Sequence, residues 1–215
     1  MNKQEYEKNP VGYWGTVMID KEPPPLPADA KHPPLNLNPI WACCMLPEIT
    51  AKLERGVCLD LGCGGGRYIG YASQYFKKVI GIDFSERNLR NASKLFYNFK
   101  NIEFLLTSLG DLSSIMSNTA DFAYSSAVFM HMPNTTKKLA LAELARVLKP
   151  DGYAILVEIV PILNGAFDCP DITQQEWNDM IREAGLIIED VETALTFKKH
   201  KLCKEGGKRL CRSSS

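Results

Sequence analysis

The sequence predicts an α/β protein: a mostly parallel β-sheet with helices on both faces and an antiparallel hairpin at its end. Between about residues 39 and 160, short apolar runs alternate with helical patterns. This alternation is typical of parallel strands that are joined by crossover helices. After residue 185, two β-like runs follow one another without a helix between them. We therefore expect the last two strands to pair antiparallel at the edge of the sheet.

Five strands and four helices are expected in the alternating part of the chain. The strands cover residues 57–61, 78–82, 102–106, 120–125 and 153–159, and the helices cover residues 39–53, 67–76, 85–99 and 135–148. Pro39 suits the first turn of the first helix, and Ser85 suits the N-cap of the third. The sequence Lys-Pro-Asp-Gly at residues 149–152 has the composition of a turn that ends the fourth helix.

The final part of the chain departs from this alternation. A helix is predicted at residues 173–184, because Thr173 and Glu176 have the spacing of a capping box and Gly185 is a typical stop. The two strands of the expected hairpin follow at residues 186–193 and 195–203.

Length and charge restrict the class of protein. The chain has 215 residues, of which 45% are hydrophobic, and it carries 25 basic and 25 acidic side chains. This length suits one large domain with a real core, or one domain with an arm. The balanced charge disfavours a dedicated nucleic-acid-binding protein, which would be clearly basic.

The cysteines and the apolar segments indicate a cytoplasmic protein. The seven cysteines include no C-x-x-C pair, so neither a disulfide framework nor a zinc ribbon is favoured, and no metal site is expected. The first residues are polar and do not resemble a signal peptide. The longest apolar run, at residues 153–163, is interrupted by Glu158 and is too short to span a bilayer.

Three zones are expected along the chain. Residues 1–38 are rich in proline and lack periodicity, which favours an extended arm. Aromatic residues of this arm, such as Trp14, could fold over a ligand as a lid or pin the arm to the domain surface. The folded domain covers residues 39–203, and a basic, flexible tail covers residues 204–215.

A glycine-rich segment follows the first strand and is the most informative part of the sequence. Residues 60–67 read Asp-Leu-Gly-Cys-Gly-Gly-Gly-Arg. Glycines let the chain turn tightly and let backbone N–H groups approach a ligand that a Cβ would repel. The following helix points its positive N-terminus at the same place, and Asp60 can accept hydrogen bonds from an ammonium group.

A second acidic residue stands at the end of the second strand. Asp83 lies 21 residues beyond Gly62, a distance at which a carboxylate can hold both hydroxyls of a ribose. The next side chain, Phe84, is placed to lie against an adenine ring. The alternative interpretation of Asp83, an ordinary acid at a helix N-terminus, is disfavoured by this matched distance.

These motifs together resemble one family. A dinucleotide-binding turn of the type G-x-G-x-x-G would need glycine at position 67, where this chain has Arg67. The spacing of Asp60 and the glycines after it instead resembles the D/E-x-G-x-G-x-G motif of class I S-adenosylmethionine-dependent methyltransferases. Further segments that resemble this family lie at residues 120–126, 129–133 and 143–153. The resemblance implies a Rossmann-like sheet of seven strands and S-adenosylmethionine as the methyl donor.

The resemblance also implies a role for each matched residue. The methionine end of the cofactor would be lined by Asp60, Gly62, Cys63 and Gly64. Asp83 would hold the ribose, and Phe84 would flank the adenine. The transferred methyl group would lie near Ser125 and Ser126. Many relatives bind the adenine amino group with an acid just after the third strand. This chain has Ser108 followed by Leu109 at that position, and Asp111 lies three residues later. Cys63 is expected to be a small buried residue rather than a nucleophile.

Two residues are candidates for catalysis. His131 follows the fourth strand, where acceptors enter in this family, and an ordinary histidine pKa of about 6.5 suits a base. His131 could instead only shape the pocket. Glu158 is unusual in an apolar strand; it could point into the same pocket, or be solvated or paired at the strand's end.

The type of acceptor is narrowed by exclusion. The D/N/S-P-P-Y/F tetrad of amino-methylating nucleic-acid enzymes is missing after the fourth strand. The Pro-Cys nucleophile of carbon-methylating RNA enzymes is reversed in Cys169-Pro170. We therefore predict methyl transfer to an oxygen or nitrogen atom of a small-molecule acceptor. The alternatives are a protein or RNA acceptor, and a non-catalytic module that binds S-adenosylmethionine or S-adenosylhomocysteine.

Overall fold

The computed structural model describes residues 56–162, 170–194 and 197–204, which form one β-sheet with helices packed against it. The expected arm at residues 1–38, the helix at 39–53 and the tail after residue 204 lie outside the described residues. Within the described part, no helix is long and apolar enough to cross a bilayer.

Seven strands form the sheet. They are β1 (Val57–Leu61), β2 (Lys78–Asp83), β3 (Ile102–Leu106), β4 (Ala120–Ser126), β5 (Leu148–Glu158), β6 (Leu186–Ala194) and β7 (Phe197–Lys204). Their order across the sheet is β3-β2-β1-β4-β5-β7-β6. Strands β1 to β5 are parallel, whereas β7 is antiparallel to both β5 and β6. The parallel sheet and the antiparallel terminal hairpin are therefore confirmed, and β7 is the hairpin strand that lies beside β5.

Four α-helices accompany the sheet in the described part of the chain. They are α1 (Ile69–Ala72), α2 (Glu86–Leu95), α3 (Asn134–Val147) and α4 (Gln174–Glu183), and a 3-10 helix covers Phe129–His131. The sequence prediction made α1 and α2 too long. After α1, the N–H groups of Gln74 and Tyr75 donate to the carbonyls three residues before them, at 3.1 and 3.0 Å, so the chain continues in turns rather than in regular α-helix. After α2, the Phe96 ring contacts Phe99 and Phe104, so the chain turns toward β3.

The turn expected at residues 149–152 lies inside β5 as a wide bulge. Ala120 of β4 pairs with Leu148 of β5, and Phe122 of β4 pairs with Tyr153 of β5. The chain therefore moves five residues along β5 while it moves two residues along β4. Gly152 is required there, because a Cβ would stand 2.7 Å from the carbonyl oxygen of Ala120. The strand therefore begins before the turn rather than after it.

The capping box of α4 is confirmed. The Thr173 hydroxyl accepts from the Glu176 N–H at 3.1 Å, and the Glu176 carboxylate accepts from the Thr173 N–H at 2.7 Å. Gly185 follows the helix with a φ of +76°, a left-handed conformation that glycine adopts without strain. The helix buries Trp177 against the Phe129 ring, and this contact ties α4 to the 3-10 helix after β4.

Hydrophobic side chains fill a core on each face of the sheet, because successive strand residues point to opposite faces. On one face, α3 and α4 contribute Leu141, Leu144 and Trp177. On the other face, Ile69 of α1 packs with Phe122 of β4. The strand order reverses between β1 and β4, and the crevice at the carboxyl ends of such strands is where open α/β sheets bind ligands.

Candidate active site

The carboxyl ends of β1, β2 and β4 bring the predicted site residues together at one edge of the sheet. Asp60 pairs with Gly81 of β2 on one side and with Tyr124 of β4 on the other. Asp83 ends β2, and Ser125 pairs with the last residue of β1. Both carboxylates are buried, Asp60 being 3% and Asp83 8% exposed. The site is therefore built around two acidic side chains on neighbouring strands.

The glycine-rich turn after β1 is held by backbone hydrogen bonds from β2. The N–H groups of Gly62 and Cys63 both donate to the Ile82 carbonyl, at 2.8 and 2.9 Å. The Gly64 N–H donates to Oδ2 of Asp83 at 2.8 Å. Gly62 and Gly64 have φ values of +74° and +54°, which L-residues with a side chain rarely adopt. The turn therefore needs glycine at these positions for its backbone conformation.

One side of this turn is tightly packed and the other side is open. A Cβ at Gly62 would stand 2.5 Å from Cγ1 of Val128, and a Cβ at Gly66 would stand 2.5 Å from the Phe96 ring. At Gly64 and Gly65, an added Cβ would meet no atom within 4 Å. The open side forms a cradle of bare backbone, which is the arrangement expected where a ligand approaches the main chain.

Asp60 is buried next to a tyrosine that the sequence analysis did not identify. The Tyr124 hydroxyl donates to Oδ2 of Asp60 at 2.7 Å. Burial raises the pKa of Asp60 to about 7; the hydrogen bond from Tyr124 lowers it and the charge of Asp83 raises it further. The same carboxyl group can therefore be neutral or charged near pH 7, and a ligand with a positive charge would favour the charged form.

Asp83 connects the glycine turn with the start of α2. In addition to the Gly64 N–H, its carboxylate accepts from the Ser85 N–H at 2.8 Å, and Ser85 caps α2 through the Asn88 N–H. Burial raises the pKa of Asp83, and the donors at Ser85 and Gly64 oppose this rise. The Asn88 side chain and the Phe84 N–H also oppose this rise, so the carboxylate accepts hydrogen bonds from both the glycine turn and the start of α2.

The other residues expected near the adenine, namely Phe84, Ser108 and Leu109, differ in how exposed they are. Phe84 is partly exposed beside Asp83, and Ser108 is exposed. The Ser108 hydroxyl accepts from the Gly110 N–H at 3.2 Å. Leu109 is only 5% exposed and belongs to the hydrophobic core. Its side chain therefore packs inward, whereas the neighbouring Ser108 lies at the surface of this region.

Cys63 is a buried thiol within the turn. Its side chain is 6% exposed, and burial raises its pKa well above the ordinary value. A thiol in this state is a poor nucleophile. In the described part of the chain, the other cysteines, Cys58 and Cys203, are also free and buried, and no group of three or more His, Cys, Asp or Glu side chains could hold a metal ion.

Glu158 lies inside the protein and binds the segment that follows β4. Its side chain is fully buried. Oε1 accepts from the Ser125 hydroxyl at 2.9 Å and from the Val128 N–H at 3.3 Å, and Oε2 accepts from the Met130 N–H at 3.1 Å. Burial raises the pKa of Glu158, and the donors at Met130, Val128 and Ser125 oppose this rise. From the sequence, Glu158 could point into the pocket, or be solvated or paired at the strand's end. In the structure its carboxylate is hydrogen-bonded to protein groups at the strand's end.

His131 ends the 3-10 helix after β4 and is half-buried. The pKa of its imidazole is lowered to about 4, mainly by burial and also by the charge of Lys137. Lys137, in the first turn of α3, is only 1% exposed, and its ammonium group donates to Oδ1 of Asn134 at 2.8 Å. His131 is therefore a neutral imidazole at physiological pH, which can accept a proton.

Three contributors to this site escaped the sequence analysis, namely Tyr124, Val128 and Lys137. Tyr124 lies on the same face of the sheet as Asp60, but only the register of β1 and β4 makes them partners. Val128 matters through its contact with Gly62, which depends on how the chain turns after β4. Lys137 lies near the start of α3, where the sequence is typical of a solvent-exposed helix turn. No pattern in the sequence indicates that its side chain is buried.

The chain is similar to known methyltransferases in sequence and in fold. A family model described as a methyltransferase domain matches residues 59–156. A ubiquinone biosynthesis O-methyltransferase of Thiobacillus denitrificans is 30% identical over 172 residues, which cover 70% of this chain and 72% of that protein. A TehB-like SAM-dependent methyltransferase of Corynebacterium glutamicum has a similar structure, with a TM-score of 0.63, 21% identity, and coverage of 78% of this chain and 90% of that chain. At this identity, the structural likeness concerns the fold alone.

Other relatives are considerably longer than the matched region. A tRNA (carboxymethyluridine(34)-5-O)-methyltransferase of Arabidopsis thaliana is 33% identical over 115 residues, which cover 51% of this chain. The chain spans 26% of the length of that protein and 41% of a yeast S-adenosylmethionine-dependent relative. The chain therefore spans less than half the length of these two proteins.

Proposed function

The chain belongs to the class I S-adenosylmethionine-dependent methyltransferases, and from this premise we propose that it transfers a methyl group to an oxygen or nitrogen atom of a small-molecule acceptor. The family uses S-adenosylmethionine as the methyl donor. The observation that carries the proposal is the open face of the glycine turn at Gly64 and Gly65, a turn that follows the buried Asp60 and bonds to the buried Asp83.

The residues at the strand ends fit this cofactor. Asp60 and the backbone of residues 62–64 would hold its methionine end, since a buried carboxylate pairs well with an ammonium group. Asp83 would hold the ribose hydroxyls, and Phe84 would flank the adenine, with Ser108 and the Leu109 backbone at the outer end. When bound, S-adenosylmethionine supplies an activated methyl group on a sulfonium. The protein's main contribution is then alignment of donor and acceptor.

The acceptor would enter after β4, where His131 stands. A hydroxyl or amine acceptor must lose a proton, and the place of His131 directly after β4 supports it as the base that takes this proton. Its pKa of about 4 keeps the imidazole neutral but makes it a weak base. Ser125 donates its hydroxyl to Glu158, so Ser126, which is partly exposed, is the better placed of the two serines to face the cofactor. The enclosed position of Glu158 supports a role in holding this region rather than in proton transfer.

The small-molecule acceptor is supported by a relative of which the chain covers 72%, and which is named as a ubiquinone biosynthesis O-methyltransferase. A nucleic-acid acceptor is the second candidate, because the Arabidopsis relative is named for methylation of a tRNA. The neutral net charge of the chain favours the first candidate.

Calorimetric titration tests the cofactor part of this proposal. The purified protein would be titrated with S-adenosylmethionine, S-adenosylhomocysteine and NAD, and the titrations repeated with Asp83→Ala. We expect the two sulfur nucleotides to bind, NAD not to bind, and the variant to bind at least about tenfold more weakly. Glu86→Gln is the matched control, since Glu86 is an exposed acid of the neighbouring helix turn that pairs with Arg90. Binding of NAD alone would refute the proposal.

An acceptor screen tests the second part. Hydroxyl, carboxyl and amine compounds and unmodified tRNA would be incubated with radiolabelled methyl donor. Turnover of small molecules but not tRNA supports the proposal, and turnover of tRNA alone supports the second candidate. Tight cofactor binding without any turnover would favour a non-catalytic module.

A further inference from the structure

The segment between β4 and α3 has an irregular backbone that needs support from elsewhere. Ala127 has a φ of +56°, an uncommon conformation for a residue with a side chain. Its N–H donates to the Val157 carbonyl at 2.8 Å, so the strand pairing of β4 and β5 ends at this point. From there the chain turns into the 3-10 helix that carries His131. The N–H groups of this turn cannot all be paired within the sheet.

Glu158 satisfies this need from the end of the adjacent strand. Its two carboxylate oxygens accept two backbone N–H groups of the turn, from Val128 and Met130, and the Ser125 hydroxyl at its start. The three donors span six consecutive residues, at both sides of the unusual conformation of Ala127. Because the carboxylate is fully buried, water does not compete for these bonds.

The same turn packs against the cofactor side of the site. The Val128 side chain fills the space beside Gly62, where an added Cβ would overlap its Cγ1. The His131 N–H donates to the Val128 carbonyl at 3.1 Å, so the position of His131 depends on that of Val128. A shift of this turn would therefore move the imidazole relative to the glycine turn, and a misplacement of about 1 Å can cost a hundredfold in rate.

We propose that Glu158 is a positioning residue, whose carboxylate fixes residues 125–131 against the glycine turn and thereby sets the distance between His131 and the bound methyl donor. This role rests on the proposed function, because it supposes that the acceptor enters beside His131. Glu158 contacts no reacting atom and transfers no proton. The glycine turn itself is held by Ile82 and Asp83, so cofactor binding should depend little on Glu158.

The variant Glu158→Gln tests this role, because an amide has one oxygen fewer to accept the N–H donors. Amide hydrogen exchange, followed by NMR in the presence of S-adenosylhomocysteine, gives a readout that does not need an acceptor. We expect the amides of Val128 and Met130 to exchange at least about tenfold faster in the variant. The affinity for S-adenosylhomocysteine should change by less than about threefold, while kcat with any acceptor found falls by about tenfold or more.

Asp121→Asn is the matched control for a general loss of stability. Asp121 is also a buried carboxylate, 8% exposed, and it accepts from the Val57 N–H at 2.7 Å and the Lys149 ammonium at 2.6 Å. It stands at the amino end of β4, away from the catalytic turn. We expect this variant to lower stability without faster exchange at Val128 and Met130 and without a fall in kcat at a temperature where it is folded.

Glu158→Asp adds a third variant in case the glutamine variant does not fold. It keeps the charge but shortens the side chain, so exchange at Met130 and kcat should lie between the wild type and the glutamine variant. The proposal is overturned if folded Glu158 variants keep the protection of Val128 and Met130, or if Asp121→Asn lowers kcat equally. Failure of the proposed function looks different: the wild type would lack turnover although the Glu158 variants still lose protection.

Discussion

The phenol of Tyr124 donates a 2.7 Å hydrogen bond to Oδ2 of Asp60, and both side chains are buried at adjacent positions of β4 and β1. Burial raises the pKa of this carboxyl group to about 7, against the effect of the tyrosine. An ordinary aspartate is fully ionised at that pH. Asp60 therefore changes its charge in the physiological range, and this has consequences both for stability and for ligand binding.

Stability should fall with rising pH because of Asp60. In the unfolded chain the group loses its proton around its ordinary pKa of 3.8, whereas in the folded protein it keeps the proton up to about pH 7. Between these values the folded state binds more protons, so the free energy of unfolding decreases as the pH rises. Asp60→Asn removes this titration. Relative to the wild type, the variant should gain about 4 kcal/mol of stability between about pH 4 and pH 8.

Urea unfolding of both proteins at these two pH values measures this gain. The amide keeps an oxygen that can accept from Tyr124, so the variant retains the hydrogen bond and differs mainly in charge. The same variant should bind S-adenosylmethionine more weakly, which would make it more stable and less functional above neutral pH. A stability difference between the two proteins that does not vary with pH would contradict the raised pKa of Asp60.

Binding of the cofactor should release a proton from Asp60. At about pH 7 roughly half of the carboxyl groups are protonated, and the ammonium group of S-adenosylhomocysteine would favour the ionised form. Calorimetry in two buffers with different ionisation enthalpies, such as phosphate and Tris, counts the protons that are released. We expect about half a proton per site for the wild type and close to none for Asp60→Asn. Equal release by both proteins would assign the proton to another group.

The sequence predicted the parts of this site that depend on local chemistry. Asp60 and Asp83 lie at the carboxyl ends of β1 and β2, and the glycines follow β1 directly. Parallel strands bring their carboxyl ends to one edge of the sheet, so the proximity of these residues could be foreseen. The partners of these residues depend on register instead. Tyr124 meets Asp60, and Ser125 meets Glu158, only because β4 pairs with β1 and β5 in the observed alignment. Alternation with a period of two predicts on which face of the sheet each side chain of a strand lies. It does not predict which residue of the neighbouring strand lies opposite.

The same distinction between local chemistry and strand pairing explains why the predicted bounds of some helices and strands were wrong. The bulge in β5 arises because Lys149 to Gly152 make a turn while the strand continues on both sides of it, and a turn motif alone does not reveal that pairing resumes. The helix α1 is short because the chain after Ala72 continues in turns with backbone bonds three residues apart, a local change that hydrophobic periodicity does not register. The confirmed capping box at Thr173 is the opposite case, since all of its partners lie within four residues.

Two neighbouring glycines should respond differently to the same substitution. Gly62→Ala places a methyl group against Val128 in a backbone conformation with a φ of +74°, so we expect a loss of about 2 kcal/mol or more in the free energy of unfolding. Gly65→Ala meets no atom within 4 Å and is not in the left-handed region. Its stability should remain within about 0.5 kcal/mol of the wild type.

The affinity for S-adenosylhomocysteine separates the two roles of these glycines. The methyl group of Gly65→Ala points into the open face of the turn, where we place the cofactor, so binding should weaken by about tenfold in a protein of normal stability. Thermal unfolding and calorimetry on the two variants provide the test. Wild-type affinity in Gly65→Ala would mean that the cofactor does not approach this part of the turn.

The pH dependence of turnover should reveal His131 if it acts as the base. Its pKa of about 4, lowered first by burial and then by the charge of Lys137, keeps the imidazole neutral well below the ordinary pKa of 6.5. With saturating cofactor, which removes the influence of Asp60 on binding, kcat should therefore stay level from about pH 8 down to pH 5. Lys137→Met removes the nearby positive charge, so the acid limb of this profile should move toward higher pH.

His131→Ala should lower kcat by about a hundredfold while S-adenosylhomocysteine still binds normally. Unchanged turnover in that variant would leave His131 only the role of shaping the pocket, and an acid limb that stays in place in Lys137→Met would show that the titrating group lies elsewhere.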